Sequence, residues 1–255
     1  MKKQLVLIIS AHPEELKSFK GHIKNLKQAT YHNSTFYSGD INTSKVVCTT
    51  SGQGMINATR AARRALRIIR PSCIVITGFC GATQEELQTA DMVISRLIRL
   101  DKYKAEKTYA CHPDLLSYAP VKCKQTQVHF GTMLTTPEPV LHSNDKKILG
   151  HNNRCIAINM EGYAIAQVAE EEHIPFIEIR SVLDPVGQNL PDFSTQKFSF
   201  KKRWLEKKIK HLSVKARESL AIYLVSFIHN LASSTTSATL IHSDVKETIS
   251  PSVSN

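Results

Sequence analysis

The stretch Ile156-Ala157-Ile158-Asn159-Met160-Glu161-Gly162 runs into Tyr163-Ala164-Ile165-Ala166-Gln167-Val168-Ala169-Glu170-Glu171-Glu172, and soon after into Ile174-Pro175-Phe176-Ile177-Glu178-Ile179-Arg180-Ser181-Val182-Leu183-Asp184. The outer segments are short apolar runs and read as strands, while the middle one carries its apolar residues at helical spacing. Strand, helix and strand in this order favour a parallel sheet, where ligands bind beyond the carboxyl ends of the strands. Glu161 and Asp184 stand at those ends. Two acids therefore close two strands.

Outward from this unit, the sequence predicts a second one of the same kind. A strand over Lys45 to Thr50 passes through Ser51-Gly52-Gln53-Gly54 into a helix that runs through Arg70 and is ended by Pro71, and Cys73 to Ile76 is a buried strand. The segment Leu5 to Ser10 is a first strand, Glu15 to Leu26 a helix, and Thr35 to Tyr37 a strand set off from Lys45 to Thr50 by a turn at Ser38-Gly39-Asp40. Thr77-Gly78-Phe79-Cys80-Gly81-Ala82 reads as a glycine-bearing turn where backbone can approach a ligand. Asp91 to Ser95 and Gln127 to Leu134 are further strands, and Thr135-Thr136-Pro137-Glu138-Pro139 a loop. From Gln188 to Phe200 the chain is polar and irregular, like a flap or a linker. Trp204 to Ile209 and Val214 to Leu231 read as helices, the second nearly apolar over Leu220 to Ile228. The Ser/Thr-rich end has a disordered composition. The expected organisation is one α/β domain over residues 1–232 and a disordered tail over 233–255.

The chain has 255 residues, 42% of them hydrophobic, enough to bury a full core. No apolar run approaches the roughly 20 residues that span a bilayer, and the amino-terminal run is too short and too soon interrupted by His12-Pro13-Glu14-Glu15 for a signal peptide. A cytoplasmic protein is expected. The six cysteines show no close pairs, so buried thiols are expected. Eleven histidines lack metal-site spacing, and no metal is expected. A net charge of +11 would attract something anionic, but much of it lies in Arg60, Arg63, Arg64, Arg67 and Arg70 on one helix and in a lysine-rich stretch from Lys197 to Arg217. Both read as solvated faces, and with no interleaved aromatics or known module no nucleic-acid partner is expected.

Taken together, Ala11-His12-Pro13-Glu14-Glu15, Ser51-Gly52-Gln53-Gly54, Thr77-Gly78-Phe79-Cys80-Gly81, Asn159-Met160-Glu161-Gly162 and Arg180-Ser181-Val182-Leu183-Asp184 resemble the superfamily of purine nucleoside phosphorylases and methylthioadenosine/S-adenosylhomocysteine nucleosidases. The resemblance implies a three-layer α/β/α sandwich around a mixed, largely parallel central sheet, a homo-oligomer, no cofactor, and cleavage of a purine nucleoside, specifically a 5′-modified adenosine, at its N-glycosidic bond. Such cleavage leaves positive charge on the ribose and negative charge on the base, as in other glycosyl transfers. By position, Asp184 matches the acid that protonates the base, Glu161 the residue on the ribose hydroxyls, with Met160 packed on the sugar, and Glu15 the base that takes a proton from water. Gly78, Phe79, Cys80 and Asn159 fall in the substrate-binding segments, and Val140, in the loop after Thr135, in the one that stacks on the purine.

Each acid also has a purely local reading. Asp184 precedes Pro185 as a turn residue would, and Glu161 and Glu15 suit the first turns of helices. The sequence departs from the family pattern at Phe79, where nucleosidases commonly carry serine, at Asn159, where an acid is common, and at Pro185. Two alternatives stay open. In a phosphorylase, the oxyanion site falls to backbone N–H groups at Gly52 and Gly54 and to Arg180. In a nucleoside-binding protein without catalysis, the departures at Phe79 and Asn159 mark the loss. The carboxyl-terminal third is also similar to hopanoid-associated members of the superfamily, through Asp184-Pro185 and Asn189-Leu190-Pro191-Asp192-Phe193. That likeness implies weak contact of Lys201 to Lys210 and Leu220 to Ile228 with anionic membranes, against the plainer reading of a core helix beside a solvated basic one.

Overall fold

A computed structural model describes residues 4–101, 107–123, 126–188 and 211–233. Its strands form a single ten-stranded sheet. At the centre lie four strands running side by side in parallel, β4 (Ser44–Thr50), β1 (Leu5–Ser10), β5 (Cys73–Ala82) and β10 (Phe176–Asp184). Val6 to Ser10 of β1 are all buried, so both faces of the sheet are covered. Alternating exposure is what a one-sided sheet would show; its absence is the mark of a three-layer arrangement. On one side of β4, β3 (Ser34–Ile41) and β2 (Lys24–Tyr31) add an antiparallel hairpin. On the other side β6 (Met92–Leu100), β8 (Val128–Thr135) and β9 (Ala157–Asn159) curl round from β10 back to the end of β5. The short β7 (Tyr109–Ala110) pairs with β6.

Helix α2 (Met55–Ile68) presents Ala58, Ala61, Ala62, Ala65 and Leu66 to the interior, a helical spacing of mostly small side chains that lets it pack closely against α5 (Gly162–Glu171). The helix ends at Ile68, short of the expected Arg70; Arg63 within it and Arg70 beyond it pair with Glu171 and Glu172 at the end of α5, and Arg64 donates to the Ser34 hydroxyl. A helix over 211–233, α6, buries Leu220, Tyr223, Leu224, Phe227 and Ile228 in the main core. The Tyr223 hydroxyl donates to the Pro120 carbonyl and Asn230 to that of Tyr118. No described helix is long and apolar enough to cross a membrane. Cys48, Cys73, Cys80, Cys111 and Cys155 are buried free thiols and Cys123 is half-buried.

Several local expectations are corrected. The helix expected over Glu15 to Leu26 is only α1 (Lys17–Lys20), after which the chain turns into β2. Every residue of β2 is exposed, so its apolar side chains follow no buried face and carry no usable period; pairing with β3 decides its conformation. Ser38-Gly39-Asp40 is not a turn but part of β3, and the reversal comes at Asn42, whose φ is 52°. Gly39 is small because a Cβ there would collide with the Ile23 side chain and the Lys24 carbonyl. Thr77 to Ala82 continues β5 rather than turning. The unit β9-α5-β10 is no parallel crossover, because β9 runs antiparallel to β5, which lies between it and β10. The predicted unit β4-α2-β5 is parallel, with β1 between its strands. The membrane reading loses its apolar half, since the side chains of Leu220 to Ile228, apart from Ile222, Val225 and Ser226, are buried in the core. The flap beyond Gln188, the helix over Trp204 to Ile209, the basic stretch Lys201 to Lys210 and the tail after residue 233 lie outside the described residues.

Candidate active site

The carboxyl ends of β1, β4, β5, β9 and β10 meet around a cavity of about 220 Å³. Because β9 is antiparallel to β5, with Ile158 opposite Gly81, the residues just past β9 fall back alongside the middle of β5. Asp184, at the end of β10, lies opposite Gly81. The geometry thus brings Glu161 and Asp184 to one cavity by a route the expected parallel crossover did not supply. Glu15, Phe79, Cys80, Val140, Asn159 and Met160 line the same cavity, joined by His12, Gln53, Thr136 and Leu183. Gly78 stands one residue behind it.

Glu15 is folded back against the sheet. Its Oε2 accepts the His12 N–H at 2.8 Å and its Oε1 the Phe79 N–H at 2.8 Å. Gly78, with φ +134°, makes this possible, because a Cβ there would lie 2.6 Å from Glu15 Oε1. Burial pushes the Glu15 carboxyl above its ordinary pKa, while the two backbone hydrogen bonds and the Arg180 charge pull it back. A carboxylate in that condition is a stronger base than one in water.

Glu161 is held at its own backbone and at its carboxylate. The Asn159 side-chain oxygen accepts the N–H groups of Glu161 and Gly162 at 3.0 and 2.8 Å, anchoring the start of α5. The Asn159 amide donates to Glu178. Glu161 Oε1 accepts the Gly54 N–H at 3.0 Å, and Oε2 lies 3.6 Å from Arg180 Nη2. Arg180 is wholly buried and commits its Nε to Glu178 Oε1 at 2.7 Å and its Nη1 to the Phe79 carbonyl at 2.9 Å. Burial raises the Glu178 pKa against the pull of that guanidinium. Across the cavity mouth, Gln53 Nε2 donates to Met160 Sδ at 3.2 Å.

Among the described residues most of the donors named for phosphate are turned to other work; Arg180 Nη2, 3.6 Å from Glu161 Oε2, is the exception and makes no hydrogen bond. Gly52 N–H donates to the Ala11 carbonyl at 3.0 Å, Gly54 N–H to Glu161, and Arg180 to Glu178 and Phe79. The protein's own carboxylate sits where an oxyanion at Gly54 would. Among the described residues no cluster of three potential metal ligands forms.

Asp184 is buried beside Lys146, a residue the sequence reading passed over. Lys146 comes from α4 (Ser143–Asn153), is fully buried, and donates from Nζ to Asp184 Oδ2 and, at 3.0 Å, to the Gln188 carbonyl. Burial raises the Asp184 pKa to about 6, with Lys146 as the opposing charge. In the sequence, Asp145-Lys146-Lys147 looks like an exposed charge run, and Lys147 does pair at the surface with Glu85. Only helix phase distinguishes the two lysines.

Residues 5–218 match the family model of the phosphorylase superfamily. A 5′-methylthioadenosine/S-adenosylhomocysteine nucleosidase from Staphylococcus epidermidis is 26% identical over 210 residues, covering 76% of this chain and 92% of that protein. Its counterpart from Staphylococcus aureus is 28% identical over 198 residues, 71% of this chain and 86% of that one. Among solved structures, the nucleosidase of Colwellia psychrerythraea in complex with adenine superposes with a TM-score of 0.77 at 21% identity, covering 90% of this chain and 96% of that one. The futalosine hydrolase of Helicobacter pylori gives 0.75 at 15% identity over 89% and 97%. Those two likenesses speak for the fold alone. With the family match running from the first strand into α6, and through every strand that reaches the cavity, the chain belongs to the phosphorylase superfamily.

Proposed function

We propose that the chain hydrolyses the N-glycosidic bond of a purine nucleoside, and that a 5′-modified adenosine is its substrate. The observation that carries this reading is Glu15: a buried carboxylate at the cavity, anchored through two backbone N–H groups, which can take a proton from water and would repel phosphate. Two of the curated nucleosidase relatives match most of this chain, which supports the same substrate class.

In the proposed reaction, the bond between C1′ and the base breaks with its electron pair leaving on the purine. Asp184, protonated over part of the neutral range, gives its proton to the base nitrogen. Glu161 and Met160 hold the ribose. Water adds to C1′ and its proton passes to Glu15, so the products are free base and free sugar. Proton transfers of this kind contribute about 10²–10⁴-fold each. Replacing Asp184 by Asn therefore lowers kcat by at least about a hundredfold while leaving ligand binding in place. An unchanged rate would remove Asp184 from the reaction. The reading also includes a homo-oligomer, which sedimentation tests; a species at the 28.5 kDa chain mass alone would contradict it.

A further inference from the structure

We propose that Lys146 is a positioning residue for base protonation, tying Oδ2 of Asp184 and the Gln188 carbonyl so that Oδ1 alone is presented to the purine and the acid keeps a working strength. This rests on Asp184 being the acid. Lys146 is fully buried and does not line the cavity, so it touches no substrate; it acts through Asp184.

A buried lysine is costly unless its charge is paired, and this one is paired with a single carboxylate. Among the described residues, the other groups around Asp184 do not compete for that role. From β5 the Cys80 thiol faces it, kept neutral because burial raises its pKa. Past β9, Glu161 is tied to Gly54 and Arg180, and on β10 itself Glu178 and Arg180 are tied to each other. From the loop after β10 comes only the Gln188 carbonyl, which Lys146 holds as well. Among the described residues, Lys146 is therefore the one charge that opposes burial at the acid, alongside a backbone hydrogen bond of Asp184 itself.

The chemical consequence follows from how acids transfer protons. Burial alone would make Asp184 so weak an acid that it stayed protonated but gave up its proton reluctantly. An adjacent ammonium favours the ionised form, which strengthens the acid and brings it near the working pH. The same contact stops the carboxyl from rotating.

The test is the pH profile of kcat/KM for wild type and Lys146→Met. Protonated Asp184 is needed, so the rate falls as pH rises through its pKa. Loss of the ammonium moves that fall upward by a pH unit or more, so the ratio of rates at about pH 8 to about pH 6 rises about fivefold or more. The rate at the optimum drops, and KM for methylthioadenosine stays within about threefold because ground-state contacts are unchanged. A Lys146→Met profile that overlays wild type overturns the proposal. Should that variant fail to fold, Lys146→Gln can still hydrogen-bond Asp184 and Gln188 but carries no charge, and it must show the same upward shift. Asp184→Asn separates the two levels: full activity there sinks the acid itself, whereas an inactive Asp184→Asn beside an unshifted lysine variant sinks only the role of Lys146.

Discussion

Gly78 and Glu15 are one device made of two residues. The positive φ of Gly78 and the 2.6 Å approach of Glu15 Oε1 to the place of its missing Cβ mean that no other side chain fits without moving the carboxylate. Gly78→Ala is expected to destabilise by about 1–3 kcal/mol through backbone strain alone and to reduce turnover as Glu15→Gln does, read by thermal melting and by base release. A variant with wild-type turnover would separate the glycine from the site. The sequence showed both residues as parts of short motifs, but not that they touch, because the contact spans strands β1 and β5. Lys146 was invisible for the opposite reason: nothing near it in sequence marks a lysine as buried, and its partner lies 38 positions away. In the same way Arg180 looked like an anion donor until Glu178 and Glu161 were seen to surround it.

At the scale of elements, α5 matters through its first turn. Asn159 replaces the acid common in the family, and its side-chain oxygen accepts two N–H groups that would otherwise be buried without partners, while its amide serves Glu178. Asn159→Ala leaves these groups unpaired, a cost of about 1–3 kcal/mol for each in a buried setting, and loosens Glu161. The expected outcome is a lower melting temperature together with a higher KM for the nucleoside. Equal KM with a lower melting temperature would confine Asn159 to stability. A carboxylate at this position could accept the same two N–H groups but could not donate to Glu178, so the amide is what distinguishes Asn159 from an acid here, a role legible in the Asn-x-Glu-Gly spacing only once β9 is known to end there. A strand buried on both faces such as β1 was legible because its run Leu5 to Ile9 is unbroken and apolar, whereas the buried charges Glu178 and Arg180 in β10 could be explained only by their pairing with each other. The exposed β2 and the short α1 were not legible, since neither turns a periodic apolar face to the core.

For the whole molecule, α6 closes the core that the site rests on. Phe227 is fully buried within it, so Phe227→Ala is expected to destabilise by about 3–5 kcal/mol, as measured by urea unfolding. A change under about 1 kcal/mol would mean that α6 packs loosely and leave its apolar face free for another surface. That the chain is α/β could be read from the order of the elements and its three-layer sandwich from the family resemblance, whereas the convergence of Glu15, Glu161 and Asp184 on one cavity required the return of β9 along β5. In the proposed reaction water, activated at Glu15, is the nucleophile. This is tested most directly by incubating the protein with methylthioadenosine, with and without phosphate, and identifying the sugar released. Free methylthioribose formed at the same rate in both is the predicted result; sugar 1-phosphate formed only when phosphate is present would contradict it.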